Sequence, residues 1–281
     1  MVAALPFIIA QENQLFPTND VKIEATLFTS SNDMLNSLVA GQSDLIPAVS
    51  LIPIIQLEIQ YPGKVRLYSH SRMSREKAID AIIVKDDSNI RALNDLAGKK
   101  VGLFPGTAPS NLLKAFLKKK GIATDSMTLV QLAPPAQLTS LKAGAVDALF
   151  TYEPVTTTAL KQGGFRQVFG SVYADLLDPC PIGASVISRD FERKYPNAAQ
   201  KVVSALDKAT ALQRTEPEKF RPLIEKIVKI PPEIAASVNI VDATLSTEDD
   251  TANLQRFIDL LHEIGEIQQT IPADRLVAPT K

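Results

Sequence analysis

The chain has 281 residues, of which 45% are hydrophobic and 22% charged, and its formal net charge is −1. This length allows one large domain or two modest ones, and the balanced charge excludes a basic surface for nucleic acid or an anionic membrane. A single cysteine, Cys180, excludes an internal disulfide and a multi-cysteine metal site. The histidines, His70 and His262, lack metal-type spacing, so we predict no metal, no cofactor and no catalytic triad.

The N-terminal segment MVAALPFIIA is apolar, but it has no basic residues before it and no small-residue cleavage site after it. We therefore interpret it as mature protein and expect any export signal to lie outside this sequence. The pattern then predicts a helix over Pro6–Gln14, a strand over Val21–Phe28 and a helix over Asp33–Ala40. The polar residues Thr29, Ser30, Ser31 and Asn32 suit the start of that last helix.

The middle of the chain alternates between strands and helices. We predict strands over Leu45–Ala48, Val65–Ser69 and Ala78–Val84, a helix over Ser50–Tyr61 and an exposed loop over Ser71–Lys77. Further strands are predicted over Met127–Leu132, Ala148–Thr151, Arg166–Phe169 and Gly183–Ser188, with a helix over Gln137–Ala143, another beginning at Glu153 and Pro154, and a turn over Asp178–Pro181. Such alternation indicates βαβ units with mainly parallel sheets.

The most informative stretch runs from Asp95 to Gly121, DLAGKKVGLFPGTAPSNLLKAFLKKKG. A short apolar strand, Val101–Phe104, is followed by a Pro-Gly turn and then by the small residues Thr107–Ser110, where a helix should begin. The free N–H groups at a helix start can bind a carboxylate, sulfonate or phosphate group. An ordinary strand-to-helix turn without a ligand is the alternative that this stretch alone leaves open.

The C-terminal part is predicted to be helical over Phe191–Thr215, Pro217–Val228, Pro231–Leu245 and Thr247–Ile264, with a loosely held tail over Pro272–Lys281. One internal similarity bears on the domain organisation. Leu38–Asp44 and Leu141–Asp147 share a pattern in which a helix ends at a glycine and an aspartate opens a strand. This similarity favours two α/β lobes that are built alike.

Several segments together resemble one family. PFIIAQENQLF, SNDMLNSLVAGQSDL, DLAGKKVGLFPGTAPSNLLKAFLKKKGI and LKAGAVDALFTYEP, in this order, resemble the solute-binding proteins of ABC importers with the type II periplasmic-binding fold. The most similar branch is the nitrate/sulfonate/taurine group, which includes binders of thiamine-pyrimidine precursors. The resemblance extends from about residue 4 to about residue 191. It departs from the family at the first strand, of which only Met1–Ala3 could supply the end.

The resemblance implies two lobes, 1–77 plus 186–281 and 78–185, joined by crossings near Ser71–Asp80 and Pro181–Ser185 and closing on a ligand like a hinge. Carried onto matching positions, it implies a pocket formed by Leu5, Thr29, Ser30, Ser31, Ser50, Gly106, Thr107, Ser110, Gln137, Tyr152 and Glu153. It places Asp178 and Cys180 at the edge of the cleft. Glu153 has an alternative role as a helix cap or a partner of a crossing-strand amide.

The implied function is capture of a small solute outside the cytoplasm, in the periplasm or on a lipid anchor, and its delivery to an ABC-type membrane permease. We expect a monomer without enzymatic activity. An enzyme of the menaquinone- or thiamine-pathway type on the same fold is the alternative, with Glu153 or Asp178 as base. A ligand-sensing domain of a regulator is a third reading, which the lack of a DNA-binding motif disfavours.

Overall fold

The chain forms two separate β-sheets surrounded by helices. The computed structural model describes residues 2–17, 21–28 and 30–277. The first sheet contains, in spatial order, β1 (Leu45–Ser50), β8 (Cys180–Ser188), β2 (Val65–Met73) and β9 (Asp242–Ala243). The second contains β5 (Thr128–Gln131), β4 (Lys100–Leu103), β6 (Ala148–Tyr152), β3 (Asp80–Lys85) and β7 (Phe165–Gly170).

Strand direction differs between the sheets. In the second sheet β4 runs parallel to β5 and β6, as the alternating pattern predicts, while β3 runs antiparallel to β6 and β7. In the first sheet the described pairs are antiparallel. The reason is that β8, which returns from the second half of the chain, lies between β1 and β2 and runs against both of them.

The helices cover both sheets. They are α1 (Leu5–Glu12), α2 (Ser31–Val39), α3 (Leu51–Gln60), α4 (Thr107–Lys119), α5 (Pro134–Lys142), α6 (Val155–Gln162), α7 (Val172–Leu176), α8 (Arg189–Lys194), α9 (Pro196–Thr215), α10 (Pro217–Val228), α11 (Pro232–Ala235) and α12 (Thr251–Glu263). Short 3-10 turns lie at Val2–Ala4, Leu93–Leu96 and Ala273–Arg275. Across the described part of the chain, every helix is too short or too polar to span a bilayer.

The internal similarity seen in the sequence has a structural counterpart. Gly41 follows α2 with φ +71°, and Gly144 follows α5 with φ +72°, in the left-handed region that favours glycine. Asp44 and Asp147 then lead into β1 and β6. The Asp147 carboxylate accepts a hydrogen bond of 2.8 Å from the backbone N–H of Lys100, which fixes the entry of β6 beside β4.

The predicted strand over Val21–Phe28 is wrong, because this segment forms no ladder within the described residues. It instead lines a groove of about 480 Å³ beside Leu45 and Pro47 of β1. Alternating side chains give a segment two faces, but a strand also needs the backbone of a neighbour.

Three predictions for the C-terminal part are also wrong. The long helix over Pro231–Leu245 ends at Ala235, because the following residues form β9 beside β2. A break at Tyr195 divides the first predicted helix into α8 and α9. The tail is packed as far as it is described: Leu276 is fully buried, and its carbonyl accepts a 2.7 Å hydrogen bond from Leu67 N–H. The predicted tail beyond Val277 lies outside the described residues.

Two segments connect the sheets. The chain leaves the first sheet after Met73 and enters the second at Asp80, and it leaves the second after Gly170 and returns at Cys180. The first crossing, 74–79, lies within the implied range Ser71–Asp80. The exposed loop predicted over Ser71–Lys77 is wrong at its start, because β2 continues to Met73, which is fully buried. The second crossing, 171–179, precedes Pro181–Ser185, which lie inside β8 because pairing with β2 begins at Cys180. The assignment of whole lobes to these sheets stays a prediction.

Candidate functional site

The crossings connect strand ends that lie on one border of each sheet. In the first sheet the end of β1, the end of β2 and the start of β8 coincide, since Ser50 and Ser71 both pair with Gly183. In the second sheet the start of β3 meets the end of β6, where Asp80 pairs with Tyr152. The six-residue crossing 74–79 joins these two edges directly and spans at most roughly 20 Å. The loops beyond both edges therefore form one interlobe region, as expected for a ligand site in open α/β sheets.

The start of α4 has the geometry that the sequence predicts. Gly106 is the N-terminal cap of α4 with φ +121°, a conformation that side chains disfavour. The Gln131 amide holds this turn: its Oε1 accepts from the Gly106 N–H at 3.3 Å and its Nε2 donates to the Gly106 carbonyl at 3.4 Å. Thr107 and Ser110 lie in the first turn, with Thr107 exposed. The turn thus presents a hydroxyl and free backbone N–H groups toward the interlobe region.

A carboxylate from a distant part of the chain already contacts this helix start. The Thr107 hydroxyl donates to Glu266 Oε1 at 2.8 Å, and the Asn111 amide donates to Glu266 Oε2 at 2.6 Å. Glu266 follows α12, which packs against β8, and its carbonyl accepts a weak hydrogen bond of 3.4 Å from Gln56 of α3. The side chain of Glu266 therefore ties the helices around the first sheet to the start of α4.

Neither Glu266 nor Asn111 was predicted from the sequence. Glu266 lies 159 residues from Thr107, and a single glutamate after a helix end carries no local signal. Asn111 was overlooked although it belongs to the first turns of the predicted helix. An inspection of all donors within one turn of the small-residue loop would have included it.

Aromatic rings cluster around the end of β6. Tyr152 lies 5.1 Å from the ring of Phe104 and 5.4 Å from Phe150, and its hydroxyl shares a short hydrogen bond with the Tyr173 hydroxyl. Burial raises the pKa of both tyrosines, so they remain neutral. Cys180, at the start of β8, is fully buried, and burial together with the nearby Asp80 and Asp178 carboxylates raises its pKa. A buried thiol with a raised pKa lacks the thiolate character of a nucleophile. Its place in a ligand pocket remains a prediction.

Glu153 acts on its own helix. Its carboxylate accepts from the Thr157 N–H at 3.2 Å and from the Thr157 hydroxyl at 2.8 Å, and its backbone N–H donates to Ile79 of the crossing segment. Burial raises the pKa of Glu153, which these hydrogen bonds partly counteract. The contacts match the helix-capping alternative. Contact with a ligand remains a prediction.

The remaining predicted residues are more dispersed. Ser30 caps α2, accepting from the Asp33 N–H at 3.1 Å, and Ser31 is its half-buried first residue. Ser50 occupies the N-cap position of α3, at the end of β1, but its side chain makes no capping hydrogen bond. Leu5 and Gln137 are fully buried, Leu5 in the core beside α9 and Gln137 bonded to the Leu132 carbonyl and the Thr151 hydroxyl. Asp178 is exposed, 3.6 Å from the Arg75 guanidinium. Thr29 lies outside the described residues.

No catalytic constellation emerges from the described residues. The nearest arrangement is His70, whose Nε2 lies 2.8 Å from Asp250 Oδ2 and whose Nδ1 lies 3.4 Å from the Thr244 hydroxyl. That hydroxyl accepts the His70 backbone N–H at 3.0 Å and is buried, so the group ties the β9 region to β2. Within the same residues no three side chains of the metal-ligating types converge.

Asp80 is a buried acid at the junction of both crossings. Its Oδ2 accepts from the Tyr173 N–H at 2.9 Å, and its carbonyl accepts from the Ser171 N–H at 3.0 Å. Burial raises its pKa to about 7, although backbone N–H groups of Tyr173, Asp80 itself and Val172 favour the ionised form. Asp80 thus links the end of the first crossing to the residues of the second.

This pKa predicts a pH-dependent stability. Between about pH 4 and 7 the folded chain holds the Asp80 proton that the unfolded chain releases, so the free energy of unfolding should fall as pH rises. A pKa difference of about three units between the folded and the unfolded chain limits this change in the free energy of unfolding to about 4 kcal/mol. Asp80→Asn should remove this dependence, which paired denaturant titrations at pH 4.5 and pH 7.5 would detect. Asp125→Asn, at an exposed position, is the control; parallel pH profiles of wild type and Asp80→Asn would contradict the prediction.

Comparison with known proteins identifies relatives over most of the chain. The model of the NMT1-like family matches residues 1–228. A protein of Escherichia coli (strain K12) named for binding aliphatic sulfonates is 27% identical over 237 residues, covering 83% of this chain and 72% of the relative. The crystal structure of the periplasmic aliphatic sulphonate binding protein SsuA from Escherichia coli superposes with a TM-score of 0.82 at 23% identity, covering 100% of this chain and 90% of SsuA.

The same fold also occurs in an enzyme. The structure of the desulfurization enzyme DSZB superposes with a TM-score of 0.71 at 16% identity, covering 98% of this chain and 93% of that chain. At these identities the structural similarities establish the fold alone. The fold is therefore that of periplasmic binding proteins, a two-sheet α/β architecture that supports both binding and catalysis.

Proposed function

The chain belongs to the NMT1-like family, and from this premise we propose that it is an extracytoplasmic solute-binding protein that delivers a small solute to an ABC-type permease. The solute would bind between the two sheet edges that the crossings connect. In such a protein the ligand contacts both sides only in the closed state, so its affinity for that state shifts the open–closed equilibrium. We also expect the protein to be a monomer. It would be either free in the periplasm or attached to the membrane by a lipid anchor.

The observation that carries the proposal is the carboxylate at the start of α4. The Glu266 side chain stands in for an oxyanion, and its contacts with the Thr107 hydroxyl and the Asn111 amide, at 2.8 and 2.6 Å, support a role of these donors in holding one. A sulfonate or carboxylate group of a solute presents similar oxygen atoms. Each helix start adds roughly 0.3–1 kcal/mol toward an anion, so α4 supports an anionic ligand without an arginine. The sulfonate-binding relatives agree with this class.

Among the residues that the structure describes, no observation supports the enzyme alternative. The thiol of Cys180 is buried with a raised pKa, and Glu153 is engaged in capping α6. Neither group combines exposure with a neighbouring base, which nucleophilic catalysis would require. Asp178, the other base of this alternative, is exposed and lies 3.6 Å from the Arg75 guanidinium.

A ligand screen tests the proposal. Thermal unfolding should be measured with ethanesulfonate, taurine, MOPS, nitrate, a pyrimidine and a neutral alcohol at matched ionic strength. A sulfonate at one hundred times its dissociation constant should stabilise the protein by about 2.7 kcal/mol. Stabilisation by the neutral compounds alone would contradict the anionic class. If no compound stabilises the protein while one is consumed, as monitored by NMR, the enzyme alternative replaces the proposal.

A further inference from the structure

A second cavity lies beside the crossing segments and is distinct from the start of α4. Its volume is about 600 Å³, within the range of small-molecule sites. Asp80 at the start of β3, Thr156 on α6 and Ser171 before α7 line it, together with Asn239 from the segment between α11 and β9. We call this space the acidic cavity. The side-chain amide of Asn239 donates to the carbonyl of Ala78, in the first crossing, at 2.7 Å. This contact brings a residue of the C-terminal part to the wall of the cavity.

Three buried oxygen atoms around the acidic cavity have no hydrogen-bond partner. They are Asp80 Oδ1, Thr156 Oγ1 and Ser171 Oγ, and their residues are only 2%, 6% and 8% exposed. A buried polar atom without a partner is costly, and native proteins rarely retain one without a reason. Three such atoms on residues that line a single cavity indicate a polar ligand: the Asp80 carboxylate calls for a hydrogen-bond donor, and the two hydroxyls can accept from the same ligand.

The charges of the acidic cavity fix the sign of that ligand. One cationic side chain, Arg75, faces the four carboxylates of Glu76, Asp80, Glu153 and Asp175. Asp175 is paired with Lys120 at 3.0 Å and lies 3.9 Å from Arg75, so Glu76, Asp80 and Glu153 carry the uncompensated acidity. Burial raises the pKa of Asp80 to about 7, and a bound cation would favour its ionised form. The excess of carboxylates favours a cation. Leu160 and Phe169 contribute apolar wall, which suits an organic body.

We propose that the acidic cavity binds a small organic cation, with a primary ammonium or guanidinium group on an apolar body. Such a group donates several hydrogen bonds and carries the opposite charge, so it matches both the unpartnered oxygens and the carboxylates. The inference does not depend on the proposed anion site. Among the residues predicted for that site, the acidic cavity contains Glu153.

Titration calorimetry with benzylammonium chloride tests the inference on the whole protein. The matched variant is Thr156→Val, which removes the unpartnered hydroxyl while keeping the shape of the side chain. Because that hydroxyl has no partner, the variant should fold with an unchanged or raised melting temperature. We expect its affinity for benzylammonium to be about tenfold weaker than that of the wild type. Thr158→Val on the same helix, outside the cavity, should bind as the wild type does.

A second cation separates hydrogen bonding from simple charge attraction. Tetramethylammonium chloride has no N–H donors, so it should bind at least about tenfold more weakly than benzylammonium. The proposal is overturned if the wild type shows no binding at about 10 mM benzylammonium. It is equally overturned if Thr156→Val or tetramethylammonium matches the wild-type result. Thr156→Val and the wild type should bind ethanesulfonate with the same affinity. A negative result with benzylammonium therefore leaves the proposed anion site untouched.

Discussion

Replacing Glu266 by glutamine should tighten the binding of ethanesulfonate by about tenfold or more. In the wild type the ligand oxyanion must compete with the Glu266 carboxylate for the Thr107 hydroxyl and the Asn111 amide. Hydrogen bonds to a charged group contribute about 1.5–3 kcal/mol, and a neutral amide competes less strongly. Glutamine also removes the repulsion between two anions at one helix start. Calorimetric titration of both proteins at low salt measures the difference.

Glu263→Gln supplies the matched control for this experiment. Glu263 is an exposed residue at the end of α12, three residues before Glu266. Its replacement by glutamine changes the net charge by the same amount. Its effect on sulfonate affinity should be small, since exposed charges at a distance are screened. A weaker affinity in Glu266→Gln would contradict the competition and would indicate that the carboxylate holds the two sides together for the ligand. If Glu266→Gln and the wild type bind ethanesulfonate with equal affinity, the oxyanion does not bind at the start of α4.

Replacing Phe116 by alanine should lower the free energy of unfolding by about 3–5 kcal/mol. Phe116 is the fully buried anchor of α4, with its ring 4.9 Å from Phe169 and with Lys120 Nζ 5.7 Å from its centre. Truncation leaves a cavity under the helix that carries the candidate site. Urea titration followed by circular dichroism measures the loss.

Lys114→Ala on the exposed face of α4 is the control for Phe116→Ala and should change the free energy of unfolding by less than about 0.5 kcal/mol. A loss below about 1 kcal/mol for Phe116→Ala would mean that the surrounding side chains collapse into the space. In that case α4 would not depend on this ring for its position.

Local signals predicted the strand, turn and helix from residue 101 to residue 119 almost residue by residue. The apolar strand, the Gly106 turn, the helical stripe and the terminal lysines all act within a few positions of one another. Gly41 and Gly144 were likewise predicted as helix ends, because a left-handed glycine is a local requirement. These features place the framework of the candidate site.

Features that depend on distant residues were not predicted. The short strand β9 exists because it pairs with β2, a partner about 170 residues earlier. The Glu266 contact and the burial of Asp80 arise in the same way, from the packing of segments that the sequence keeps apart. The strand predicted over Val21–Phe28 is wrong for the opposite reason: its sequence has the alternation of a strand, but no described strand pairs with it. The sequence thus predicted the scaffold of the site better than the side chains that occupy it.

The position of β1 at the border of its sheet has a consequence for how copies of the protein meet. Its outer backbone groups pair with no described strand, and such a border can template association with another chain. Pro47 lies in the middle of β1 and has no N–H to offer, and the register shifts between Ile46 and Val49. Both features interrupt a continuous ladder. The proline therefore makes the outer edge of β1 a poor template for pairing with a second copy of the chain.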